Sequence, residues 1–184
     1  MTTQKILEGM VFKGVLHDQA TTGWRLAVGE PFPTPDTSEL VVFVAYFVHG
    51  FGIPVHPFQW KLLGYYGISL CHLHPNSILH ISLFINLCEA FIEVAHHFNL
   101  FCYFFCLKPF SGSGSPKVVG DVYLQLRDAM VREYIQVPLN MSLKGWNAKW
   151  FYIRNAIPSL SAGIDHLAVP SANWSARPNG EEMT

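Results

Sequence analysis

The stretch HPNSILHISLFINLCEAFIEVAHHFNLFCYFFCLK, His74 to Lys108, holds three of the four cysteines and four of the nine histidines of this chain. Cys102 and Cys106 stand four residues apart, a spacing that suits a structural zinc pair, and Cys71, His72 and His74 lie upstream as further ligands. The same two thiols sit within LFCYFFCL, where free cysteines act as small buried hydrophobes. Both readings stand at this level. Glu93-Val-Ala-His96 has the Glu-x-x-His spacing that turns two ligands to one metal in carboxylate-bridged helical bundles, but no second such pair accompanies it. A serine nucleophile would need a sharp turn of Gly-x-Ser-x-Gly type, and SGSGSPK lacks the Walker order of glycines and lysine. No catalytic, cofactor-binding or metal-ligating residues are therefore assigned. The expectation is a protein without enzymatic activity or cofactor, with a zinc-binding module or metal-dependent enzyme built on the Cys/His cluster as the alternative.

A second alternative rests on KGWNAKWFYIRN, Lys144 to Asn155. It interleaves Lys144, Lys149 and Arg154 with Trp146, Trp150, Phe151 and Tyr152. Aromatics that stack bases beside cations that meet phosphates suit a single-stranded nucleic acid. In a strand, however, Trp150 and Tyr152 face one side and Phe151 and Ile153 the other, which equally serves packing.

These side chains need a scaffold, and the composition bounds it. Charged residues make up 14% of the chain and hydrophobic ones 50%, with a net charge of −1. Ordinary soluble domains carry about 25% charged residues, so part of this surface is expected to meet a protein partner or a second copy. The near-neutral balance gives nucleic acid no long-range attraction. The amino terminus shows no secretory pattern, so the expected location is intracellular, cytoplasm or nucleus. The uncharged windows Leu40–Trp60 and Leu62–Cys88 are cut by Gly50, Gly52, Pro54, Pro57, Gly64, Gly67 and Pro75 into pieces too short to cross a bilayer. No membrane association is expected.

Periodicity supplies the elements. Residues 1–23 read as a loose arm and WRLAVGE as a short strand. After the proline-rich PFPTPDT, Asp36 and Glu39 resemble a capping box, so LVVFVAYFV is expected to be helical. HPFQWKLLGYYGI predicts a helix with Pro57 in its first turn. The longest helix is expected over Pro75–Ala95, because Ser82, Asn86, Glu89, Glu93 and His97 recur every three or four residues among apolar neighbours. HFNLFCYFFCLK makes a fourth helix. Beyond the PFSGSGSPK joint, VVGDVYLQLR, REYIQVPL and NAKWFYIRN are expected as antiparallel strands. Residues 156–184 form an irregular Pro/Ser/Gly-rich tail. The fold class is α+β: a helical part of about four helices followed by a small antiparallel sheet, in a single soluble domain over 24–155.

Between about Trp24 and Trp174 the chain resembles a known family. The residues that carry the likeness are ELVVFVAYFVHGFGIPVHPF, LLGYYGISLCHLHPNSILHISLFINLCEAF, HFNLFCYFFCLKP, VVGDVYLQLR and VPLNMSLKGWNAKWFYIRN. The resemblance is to the gypsy-type transposon family, abundant in retroelement-derived reading frames of plants. It implies a retrotransposon-derived module with no catalytic set to carry over and, in this chain, without the charged, coiled-coil-prone continuation of other members. This chain departs from the family pattern in reading IEVAHHF where members have Ile-Glu-Pro-His-Phe, and in carrying Phe101 and Cys102 where they have tryptophan and a basic residue.

Overall fold

In the computed structural model, which describes residues 2–110, 118–135, 143–155 and 168–178, the chain is α+β. Its elements are α1 (Gln4–Phe12), α2 (Gln19–Thr22), β1 (Arg25–Leu26), β2 (Glu39–Phe43), α3 (Val44–Val48) and α4 (Pro57–Tyr66). Then follow α5 (Pro75–Asn86), α6 (Phe98–Phe104), β3 (Phe105–Pro109), β4 (Val122–Leu126) and β5 (Trp150–Arg154). No helix among the described residues is long and apolar enough to cross a membrane.

The sheet is not an appendix to the helices. β5 lies between β1 and β2, antiparallel to both, with Phe43 opposite Trp150 and Glu39 opposite Arg154. A second, two-stranded sheet pairs β3 with β4, Phe105 opposite Leu126. Trp150, Phe151, Tyr152 and Ile153 are all buried, so β5 is covered on both faces, as the near-continuous apolar run of a central strand requires. Phe151 stacks on Phe47 of α3 at 5.7 Å.

The expected helix over LVVFVAYFV is half strand. Asp36 and Glu39 do make the local contacts of a cap: Asp36 Oδ1 accepts from Ser38 N–H at 2.6 Å, and Glu39 Oε2 accepts from Asp36 N–H at 3.3 Å. Those bonds close a turn, and the β-branched Val41 and Val42 then pair with β5 before the chain coils into α3. Tertiary pairing outweighs the local signal. HFNLFCYFFCLK divides in the same way, into α6 and β3. α5 begins at Pro75 as expected but ends at Asn86, nine residues early. Ile78, Ile81, Phe84 and Cys88 are buried as read, whereas Phe91 and Ile92 are exposed. Residues 132–135 of REYIQVPL form a turn, and the rest of that expected strand lies outside the described residues. The supposed loose arm contains α1, whose Leu7 and Met10 are buried. Within the expected irregular tail, Trp174 is buried and donates its indole N–H to Tyr66 O at 3.0 Å.

A polar network pins the 27–38 connector to the sheet. Tyr152 Oη accepts from Thr34 N–H at 2.9 Å and donates to Glu30. Arg25 lies over the Tyr152 ring, 3.8 Å from its centroid, and pairs with both Glu30 and Glu39. The hydrogen bond from Tyr152 holds the Glu30 carboxyl below the usual carboxylate range. Its contribution is thus fully present above the unfolded carboxylate pKa and is lost as pH falls through the lowered folded value. Tyr152→Phe keeps the ring but strands the Thr34 N–H and takes from Glu30 Oε2 one of its donors, the Thr34 hydroxyl remaining. It should cost about 1–3 kcal/mol, read as an earlier urea midpoint with an unchanged slope.

Candidate functional site

His56 stands at the mouth of α4, and its Nδ1 accepts from Phe58 N–H at 3.1 Å. This is a cap made by an imidazole, with Pro57 supplying the first helical residue, which needs no N–H partner. Because Nδ1 accepts, the neutral ring carries its proton on Nε2.

Glu89 is positioned by the way α5 ends. Residues Leu87–Phe91 widen into one π turn, closed by Ile92 N–H on Leu87 O at 3.1 Å. Glu93 then adopts φ +51°, a conformation uncommon outside glycine, and the chain doubles back through His96. A continued α-helix would have carried residue 96 more than a turn beyond Glu89; the reversal returns it alongside.

His96 Nε2 lies 3.0 Å from Glu89 Oε1, and His56 Nε2 lies 3.5 Å from the same oxygen. The two imidazoles meet edge to face with centroids 4.5 Å apart. Beyond this close approach to the carboxylate, His96 Nε2 is buried and makes no hydrogen bond. Beneath the cluster, the His96 ring rests 5.7 Å from Phe58, which packs on Phe84 and Phe101 in the core. A firm apolar floor therefore supports a half-open polar mouth. Two imidazoles and one carboxylate can hold a divalent cation, share a proton, or bind a polar ligand group.

The residues singled out from sequence fare differently. Cys102 Sγ lies 3.6 Å from the Tyr66 hydroxyl, and Cys106, now on β3, donates to Gln125 O at 3.7 Å. Burial pushes the Cys102 thiol up. His74 Nδ1 accepts from Asn76 N–H at the start of α5, and burial pushes this imidazole down to about 4. His72 accepts from Ser69 N–H at 3.1 Å. Among the described residues these thiols and imidazoles form no three-ligand group, whereas His56, Glu89 and His96 do, with all three ligand atoms within 4.8 Å of one another. Glu93 and His96 do not share a helix face, because no helix runs through them. Sequence reading thus found His96 with the wrong partner and passed over His56 and Glu89. The His-Pro pair at 56–57 marked the helix start, but no spacing rule links it to residues 89 and 96.

Trp146 is half-buried against Phe43, Tyr46 and His74, with ring centroids 4.9–5.9 Å apart. It joins the sheet to the starts of both α3 and α5.

No curated protein and no solved structure matches the chain. Residues 41–109, from β2 through α3, α4, α5 and α6 to the end of β3, match the family model described as "Putative gypsy type transposon", and His56, Glu89 and His96 all lie inside that segment.

Proposed function

We propose that the chain is an intracellular, plant retroelement-derived module that works by binding protein rather than by catalysis. The observation that carries this reading is the exposure of Phe91 (74%), Ile92 (45%) and Val94 (45%) in one short segment within the family-matched region. These side chains are not on a loosely held strand of chain: Ile92 and Val94 N–H groups are bonded to Leu87 and Cys88 carbonyls. A backbone fixed in this way presents its apolar side chains at little further cost in ordering, which favours association. Removing such surface from water contributes about 25 cal/mol per Å².

The nucleic-acid reading has less support. Trp150, Phe151 and Tyr152 are buried and present no open ring face to a base.

The test compares a loop variant, Phe91→Asp with Ile92→Ser, against Phe12→Ser, which removes an aromatic ring that is 92% exposed on α1. Sedimentation and cross-linking report on a second copy, and quantitative capture reports on another protein. The expected result is association weakened at least tenfold in the loop variant and unchanged in Phe12→Ser. Equal association by both variants and the wild type would remove the basis of the reading. Salt-sensitive RNA binding that Lys149→Ala weakens would move the protein to the nucleic-acid class.

A further inference from the structure

We propose that His56, Glu89 and His96 form a site for a divalent transition-metal ion of the zinc class, one that clasps both ends of the exposed 91–94 segment to the start of α4. Donor atoms in a tetrahedral zinc site, each about 2.0–2.2 Å from the ion, lie roughly 3.3–3.5 Å from one another. The two imidazole nitrogens stand 3.0 and 3.5 Å from Glu89 Oε1, close to that edge length, and all three ligand atoms lie within 4.8 Å of one another. His96 Nε2 is buried and makes no hydrogen bond, although a carboxylate oxygen lies within reach. A cation would satisfy this nitrogen.

The ligand set selects the class of ion. Two imidazoles with one carboxylate suit zinc and its neighbours, while calcium and magnesium prefer oxygen alone. Three protein ligands leave a further position open on the solvent side, where Glu89 is 54% exposed. The backbone supports the same reading. Glu89 sits on a π turn, and the left-handed Glu93 lies between it and His96, two departures from regular geometry that bring the ligands together. The apolar floor under His96 keeps its ring in place.

The proton balance follows from the cap. His56 Nδ1 accepts from Phe58 N–H, so the metal-free neutral ring holds its proton on Nε2. Ligation through Nε2 moves that proton to Nδ1, and the Phe58 N–H loses its acceptor. Metal binding therefore leaves a mark outside the ligands themselves.

The test uses the full chain, freed of metal by chelation and titrated with zinc against a chromophoric chelator. The wild type should take up one zinc per chain. His96→Ala, Glu89→Gln and His56→Asn should each weaken uptake at least tenfold, while Cys102→Ser with Cys106→Ser leaves it unchanged. Asparagine at 56 retains a capping oxygen, so α4 should start normally in that variant. In the wild type, one equivalent of zinc should shift the Phe58 amide resonance, speed its hydrogen exchange and slow proteolysis at 91–94. Cobalt in place of zinc should give a spectrum without a thiolate charge-transfer band. Failure of the wild type to bind zinc, wild-type affinity in any one of the three ligand variants, or a thiolate band overturns the site. None of these readouts depends on a protein partner, so the site and the binding function stand or fall separately.

Discussion

Trp150→Ala is expected to lower stability by about 3–5 kcal/mol, the usual cost of emptying a buried aromatic site. Trp150 is 8% exposed at the start of the central strand, opposite Phe43, and its ring meets Tyr152 edge to face at 5.4 Å. The lost ring leaves a cavity between elements far apart in sequence, which cannot collapse without shifting the strand. At roughly 2–4 °C per kcal/mol for a chain of this size, the melting temperature should fall by about 6 °C or more. Lys149→Ala is the control. Its side chain is exposed, and its backbone bonds, a carbonyl that accepts from Val44 N–H at 2.9 Å and an N–H that donates to Trp146 O at 3.2 Å, are kept by alanine. The change should stay within about 0.5 kcal/mol. Melting curves on both variants check the pair. A Trp150→Ala protein as stable as the wild type would remove β5 from the core.

Gly120→Ala is the second large effect, expected at about 2–4 kcal/mol from left-handed backbone and overpacking together. Gly120 has φ +70°, and an added Cβ would lie 2.5 Å from Cζ2 of Trp146. That indole cannot move away freely, because Phe43, Tyr46 and His74 hold its other sides. Gly120 N–H also donates to Cys71 O at 3.0 Å, which ties the turn before β4 to the 3₁₀ turn ahead of α5. The destabilised variant should recover part of its loss when Trp146 is also changed to Leu, since the added methyl then finds room. A double-mutant cycle by chemical denaturation measures that coupling. Strict additivity of the two changes would mean that the contact is not what makes glycine necessary.

Polar spacing and helix punctuation carried much of the fold at the level of sequence. Pro57 and Pro75 mark the first turns of α4 and α5, Gly67 closes α4 with φ +65°, and the buried set Ile78, Ile81 and Phe84 follows the helical period. Local chemistry decides such features, so local reading finds them. The alternation in WFYIR likewise identified a strand, but packing was only one of two readings open for its aromatics, and the structure buries them on both faces. Residues 41–109 also carry enough order and spacing to match a family model.

Where one element yields to the next was decided only by the tertiary structure. ELVVF is a strand because β5, far along the chain, offers it unpaired backbone groups, and FCLKP because β4, the next element, does the same. The Ser82–His97 polar stripe describes a helix that the chain abandons after Asn86, since the π turn and the left-handed Glu93 turn the backbone away. The candidate metal centre depends on that same departure. Its three side chains come from a helix start, a π turn and a returning loop, and no periodicity relates positions 56, 89 and 96. A ligand set is legible in sequence when a single element presents it; this one exists only because a helix stops early and the chain folds back on the mouth of another.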